Sequence, residues 1–309
     1  MDSTISQDQS IVLPDGRTLC YTTFGTSIAP EQPTVFYFHG FPGTHSEALP
    51  IHEAASKRGI AVVGVTRPGF GGSTPQPDRD LLSFPPDVLR LADHLGVARF
   101  AAMGVSGGGP YVLACLHAVP PARLLGGVVV SGIYPVALGM AGMQLPIRIL
   151  YNVAPLAPGL VTWLIDWYAA RAAQDTEQPG RYERIMADNF KGWPAEDREV
   201  VFADNGRLLD VLTRSSAEAL RQGAEGFACE AKLFGTPWGF ELEDLRVDAG
   251  KLVLWHGSKD ANVPVDMAEK ASGLIPNAEF RRYEDEAHLS IAVRYLDDIL
   301  DTLAGMAEV

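Results

Sequence analysis

Cysteine is scarce in this chain of 309 residues, and the three present, Cys20, Cys115 and Cys229, are odd in number and widely scattered. That spacing supplies neither a disulfide framework nor the paired ligands of a zinc site, so buried free thiols are expected. Basic residues are outnumbered: 25 Lys and Arg face 38 Asp and Glu, a formal net charge of −13. This balance argues against nucleic acid and anionic membrane surfaces as partners. Long apolar runs are missing too. The most apolar stretch, 145–170, is broken by Arg148, Pro155, Pro158 and Asp166, which argues against a membrane span. Met1-Asp2-Ser3-Thr4 shows neither the basic segment nor the apolar core of a signal peptide. No internal repeat or low-complexity tract occurs. The expectation is a cytoplasmic protein, and a chain 47% apolar can bury one large body plus an insertion.

What is present is alternation. The chain opens with a hairpin, Ile11-Val12-Leu13 and Thr18-Leu19-Cys20-Tyr21-Thr22 around an Asp15-Gly16 turn. Apolar strands are predicted over 35–38, 60–65, 100–103, 124–131, 251–255 and 278–283. Thr44-His45-Ser46-Glu47 matches a capping box and predicts a helix to about residue 58. A helix over about 84–95 carries Val88, Leu91, Ala92 and Leu95 at core spacing behind Pro85-Pro86. Apolar strand, amphipathic helix, apolar strand is the pattern of a parallel sheet covered on both faces. The alternation lapses from about residue 134 to 240 and then resumes.

Gly104-Val105-Ser106-Gly107-Gly108 is the most informative stretch. An apolar strand precedes it and a helical pattern opening with Pro110 follows, so the serine sits on a sharp strand-to-helix turn beside the positive end of a helix. Side chains at 104 and 108 would collide across that turn. A serine hydroxyl is a weak nucleophile and needs a base, and the base needs an orienting group. Histidine suits the base because its pKa lies near neutrality. His288 follows the last strand, in the exit loop Glu284-Asp285-Glu286-Ala287-His288, and Asp260 follows the strand 251–255. Asp285 and Glu286 lie too close to His288 in sequence to orient it easily. The loop His39-Gly40-Phe41-Pro42-Gly43 after the strand 35–38 would aim the Phe41 N–H at the same point as the Gly107 N–H, as a developing oxyanion requires. Plainer roles exist for each: Ser106 or His288 as a helix cap, Asp260 as a turn residue. His39 and His256 precede glycines at strand ends and suit structural hydrogen bonding. His45, His52, His94 and His117 suit surface or packing roles.

On these residues the chain resembles the α/β-hydrolase superfamily, in its branch of capped esterases, peptidases and related serine hydrolases. The resemblance spans roughly residues 10–305. It implies an α/β fold with a mostly parallel eight-stranded sheet, helices on both faces and an inserted helical cap. It implies Ser106 as nucleophile, Asp260 as acid, His288 as base, and Phe41 and Gly107 as the oxyanion hole. Arg67-Pro68-Gly69-Phe70-Gly71-Gly72-Ser73 is similar to the loop after the fourth strand. Thr66 departs from the family, which often carries aspartate there. The division expected is a body of 1–133 and 241–309 with a cap of 134–240.

In that middle segment Leu160, Trp163, Leu164 and Trp167 share one helical face while Val161, Ile165 and Tyr168 crowd another. A helix this apolar is expected to be pressed between two surfaces. Trp163, Trp167 and Trp238 are candidates for a substrate pocket, with packing of the cap as the alternative. The function expected is acyl-enzyme hydrolysis of an ester-like bond in a small hydrophobic substrate, with no cofactor and no metal. A prolyl-type aminopeptidase, with Glu218, Glu225 or Glu230 holding a substrate amine, is an alternative. So are carbon–carbon cleavage by the same residues and a low-turnover binding protein.

Overall fold

In the computed structural model of the chain, which describes residues 8–30, 32–178 and 180–307, eight strands form one sheet in the order β1-β2-β4-β3-β5-β6-β7-β8. The strands are β1 (Gln9–Val12), β2 (Thr18–Gly25), β3 (Thr34–Phe38), β4 (Ala61–Val65), β5 (Phe100–Val105), β6 (Leu124–Val130), β7 (Leu252–Gly257) and β8 (Glu279–Tyr283). β1 and β2 are antiparallel to their neighbours, and β3 to β8 pair in parallel. Met1-Asp2-Ser3-Thr4 lies outside the described residues.

The covered faces follow from strand alternation. Phe36, Phe38, Phe100 and Leu254 point into one core, closed by α2 (Phe84–His94) and α3 (Gly109–Ala118). Val35, Tyr37, Val105 and Trp255 point into the other, closed by α1 (His52–Lys57) and by a C-terminal helix named below. Both faces are buried, which is why β3 to β7 read as nearly continuous apolar runs.

The expected capping box does not form. Thr44 makes no side-chain cap, and His45–Ile51 is a 3-10 helix with Pro50 inside it. The Glu47 carboxylate instead accepts the Gly40 N–H and the Tyr37 hydroxyl, each at 2.7 Å. A tertiary pair of donors outcompetes the local one.

Between β6 and β7 the chain is helical: α4 (Leu145–Val153), α5 (Pro158–Ile165), α6 (Arg171–Ala173), α7 (Gly180–Lys191), α8 (Ala195–Phe202), α9 (Arg207–Ala219) and α10 (Glu225–Phe234). A π-helical turn, Asp166–Ala170, continues α5. Phe227, Ala228 and Ala231 of α10 meet Val161 and Ala170 in a small core of this insert. α11 (Val265–Leu274) follows β7, and α12 (Ser290–Arg294) and α13 (Leu296–Ala307) complete the chain, α13 closing the second core. Among the described residues no helix is long and apolar enough to cross a membrane.

The expectation that α5 is pressed between two surfaces is wrong. Trp163 is 61% and Trp167 59% exposed, and Leu160, Leu164 and Tyr168 are exposed beside them, while Val161 alone of α5 is buried. Periodicity reports how much apolar surface a helix carries, not whether the chain covers all of it. The two tryptophans therefore contribute little to folding. Trp163→Ser and Trp167→Ser are expected to change unfolding free energy by less than about 0.5 kcal/mol in denaturant titrations. Phe100→Ala, which empties a fully buried site against Phe36, is expected to cost about 3–5 kcal/mol.

Candidate active site

Parallel register brings the strand ends together. Phe38 pairs with Gly104, Val105 with Val130, Val130 with Trp255, and Gly257 with Tyr283. The loops after β3, β5, β7 and β8 therefore leave one edge of the sheet, where open α/β sheets hold their ligands. At the end of β5, Ser106 has φ +52°, a left-handed backbone that costs a non-glycine residue about 1–3 kcal/mol. The neighbours that hold it there are glycines by necessity. A Cβ on Gly104 would overlap Gly108, and one on Gly108 would overlap the Phe38 carbonyl. After this turn the chain enters α3, with Pro110 in its first turn.

The loop after β3, His39–Gly43, lies directly over the turn. A Cβ on Gly107 would stand 2.6 Å from Phe41 Cβ and 3.3 Å from Phe41 N. The Phe41 N–H has no acceptor among the described residues, and the Gly107 N–H sits in a first helical turn, where backbone donors lack helical partners. Phe41 follows a fixed loop. His39 Nδ1 donates to Gly40 O at 2.8 Å, and its Nε2 accepts the Arg67 N–H at 3.2 Å. Burial, reinforced by the Arg67 charge, holds His39 neutral, well below the usual histidine range. His39 is structural, as expected.

Arg67 anchors the loop from behind. Its guanidinium donates to the carbonyls of His39 and Gly40 and, with two bonds of 2.7 Å, to Glu230 of α10. Arg79 and the Tyr111 hydroxyl also donate to Glu230, at 3.2 and 2.6 Å. All four side chains are buried. Burial alone would raise the Glu230 carboxyl, but the two guanidinium groups outweigh it and hold it below its ordinary value. Thr66, where the family often has aspartate, is buried and bonds His45: Oγ1 accepts the His45 N–H at 2.9 Å and lies 2.7 Å from Nδ1.

Asp260 and His288 meet on the same edge. Asp260 Oδ1 accepts the N–H groups of Asn262 and Val263, both at 2.8 Å. Its Oδ2 lies 2.8 Å from His288 Nδ1 and 3.3 Å from His256 Nε2. A carboxylate cannot donate, so the proton of each imidazole sits on the nitrogen facing it. His288 Nε2 is thereby left with a lone pair. Burial would raise the Asp260 carboxyl, but the His288 charge and bonds from both imidazoles hold it well below the carboxylate range. Burial likewise works against a charged His288. Asp260 outweighs it, with help from Asp197 and Glu47, and the imidazole lies above its ordinary value.

Of the expected site residues, Ser106, Asp260, His288, Phe41 and Gly107 occupy the loops and turns of this edge. The three tryptophans do not join them. Trp163 and Trp167 lie on the exposed face of the insert, and Trp238 is buried against Phe240, with its Nε1 unpartnered among the described residues. The tryptophan that reaches the site is Trp193, whose ring stands edge-on to His288 at 5.8 Å. Phe227 and Phe234 of α10 complete an apolar wall around Phe41, at 4.4 and 5.5 Å between ring centroids. Asp197 and Glu47 were also missed. Only an acid in the first turn of α8 hints at Asp197, and nothing local points it at a histidine ninety-one positions away. A cleft of about 1110 Å³ opens at the opposite sheet edge among His117, Leu124, Lys251 and Asn277.

Residues 33–295 match the model of the alpha/beta hydrolase fold family. No curated protein sequence matches the chain. A thermophilic esterase from Thermogutta terrifontis superposes with a TM-score of 0.68 at 19% identity, covering 98% of this chain and 100% of that one. A carboxylesterase structure from Nitrososphaera gargenis gives 0.69 at 16% identity, covering 97% and 99%. The enol-lactonase from Burkholderia xenovorans gives 0.66 at 16% identity, covering 97% and 100%. At these identities the likeness is one of fold.

The buried network behind the His39–Gly43 loop has a measurable consequence. Glu230→Ala leaves Arg67 and Arg79 buried without their counter-charge and is expected to cost about 3–5 kcal/mol. Equilibrium unfolding checks it; a loss below about 1 kcal/mol, the value of an exposed pair, contradicts it.

Proposed function

Because the chain belongs to the alpha/beta hydrolase fold family, we propose that it is a serine hydrolase cleaving an ester-like bond of a small apolar substrate through an acyl-enzyme. The observation that carries this reading is the 2.8 Å bond between His288 Nδ1 and the buried Asp260, on the sheet edge where Ser106 holds a strained backbone. In the reaction, His288 Nε2 takes the Ser106 hydroxyl proton as Oγ attacks the carbonyl carbon. The Phe41 and Gly107 N–H groups receive the oxyanion. Asp260 keeps the imidazolium oriented, and His288 returns the proton to the leaving alcohol. Water, deprotonated by the same imidazole, then attacks the acyl carbon and frees the acid and Ser106.

The substrate class rests on the surroundings. Phe41, Phe227, Phe234 and Trp193 supply an apolar wall. Asp260, Asp197 and Glu47 put negative charge around His288, which disfavours anionic substrates. The solved structures most relevant to this reading are described as esterases and an enol-lactonase. An aminopeptidase reading loses support because Glu230 is consumed by Arg67 and Arg79, and Glu218 pairs with Arg221 at 3.2 Å. We assign residues 134–240 as the lid and 1–133 with 241–309 as the body. Free thiols at Cys20, Cys115 and Cys229 suit the cytoplasm.

Ser106→Ala and His288→Ala are each expected to lose about 10⁴–10⁶-fold in kcat on short-chain aryl esters while keeping a cooperative thermal transition. A fluorophosphonate probe is expected to label Ser106. Retention of most esterase activity in either folded variant contradicts the proposal. The base must be neutral to act, and its pKa is raised. The acid limb of kcat/KM should therefore lie above about 6.5, the ordinary histidine value. A pH–rate profile with its acid limb below that value contradicts the assignment of His288.

A further inference from the structure

The insert does more than cover the sheet edge. Residues 193–199 wrap the two loops that carry Asp260 and His288. The Trp193 ring stands against His288. Glu196 pairs with Lys259, the neighbour of Asp260, at 2.8 Å, and Glu199 pairs with Arg294 of α12 at 2.7 Å. Between them, Asp197 is fully buried. Its Oδ1 accepts the N–H groups of Leu289 and Ser290 at 2.7 and 2.9 Å, and its Oδ2 accepts the N–H of His288 itself at 3.2 Å. These donors open α12, and that helix has no cap from its own N-cap residue. A carboxylate from a distant helix fills the vacancy.

We infer that Asp197 is a positioning residue, through which the insert fixes the backbone of His288 and supplies a second carboxylate charge to its imidazole. The inference rests on the reading of His288 as the base. Its physical content is separable from that reading. Without Asp197 the His288 loop keeps bonds to the body alone: His288 to Asp260, the Ala287 N–H to Ser290 Oγ at 2.8 Å, the Lys259 N–H to Glu286 O at 2.9 Å, and Arg294 to the Glu286 carboxylate. The loop would then be tethered from one side.

The charges that act most strongly on His288 are acidic: Asp260 from the loop after β7, Asp197 from α8, and Glu47 from the His45–Ile51 turn. Asp260 makes the direct bond, and its loss would destroy the tautomer. Asp197 bonds only to backbone, so its charge can be removed while Nδ1 keeps its partner. Lys259 and Arg294 are occupied by Glu196 and Glu199 on the outer side. Burial raises the Asp197 carboxyl, and the His288 charge with the Ser290 and Leu289 N–H bonds opposes that rise. Carboxylate and imidazole thus act on each other through a buried gap.

The test is Asp197→Asn, which keeps an amide oxygen for the Leu289 and Ser290 donors and removes the charge. The His288 ring is titrated by NMR in wild type and variant, and kcat and KM are measured across pH. We expect the imidazole titration to fall by about one pH unit and the acid limb to move with it. At pH optimum kcat should fall about 10- to 100-fold, with KM held within about twofold. Asp197→Glu should recover part of the loss. A folded Asp197→Asn protein with an unchanged His288 titration and unchanged kcat overturns the inference. Should Asp197→Ala not fold, the Asn and Glu variants still decide. A wild-type protein whose Ser106 resists fluorophosphonate defeats the hydrolase reading alone, because the imidazole titration is read without turnover.

Discussion

The bond between His288 Nδ1 and Asp260 Oδ2 is the interaction on which the rest of the site depends, because it decides where the imidazole carries its proton. It joins the exits of β7 and β8, so it exists only if those strands pair in the observed register. Each partner is held from outside the pair. The N–H groups of Asn262 and Val263 fix the other Asp260 oxygen, and Asp197 holds the backbone of His288. A carboxylate bonded this way stays ionised despite burial, and an ionised partner keeps the imidazole basic. The tautomer, the lone pair on Nε2 and the raised basicity of His288 all descend from one geometry.

A second buried carboxylate does different work. Glu230 is as buried as Asp260, but its neighbours are guanidinium groups, which carry permanent charge. No proton can move there near neutral pH. The network instead fastens α10 of the insert to the carbonyl side of the His39–Gly43 loop, leaving the Phe41 N–H turned to the opposite side of that peptide. One acid serves a titrating partner and one a fixed charge. Environment alone separates the two roles.

Much of the fold was legible in the sequence because the sheet is covered on both faces. That covering forces β3 to β7 into apolar runs, and every expected strand from 35–38 onward has its counterpart. The turn at Ser106 was legible because three local constraints coincide there: an apolar strand before it, a helix after it, and glycines where any side chain would collide. Asp260 and His288 stood out as polar residues just past strand ends. The remainder was not legible, and for one reason. Trp193, Asp197 and Glu47 reach the site through contacts that no short-range pattern encodes. Glu47 illustrates it, since its spacing from Thr44 suggested a cap while its carboxylate went to Gly40 and Tyr37. Trp163 and Trp167 fail in the reverse sense. Their apolar character was plain, but which helix face the insert leaves uncovered depends on packing.

The measurement that bears most directly on the central claim is a crystal structure of the protein after reaction with a fluorophosphonate ester. The account predicts phosphorus bonded to Ser106 Oγ, with its oxygen about 2.7–3.1 Å from both Phe41 N and Gly107 N and His288 Nε2 within hydrogen-bonding reach of Oγ. An adduct on another residue, or a phosphoryl oxygen turned away from both N–H groups, would contradict it.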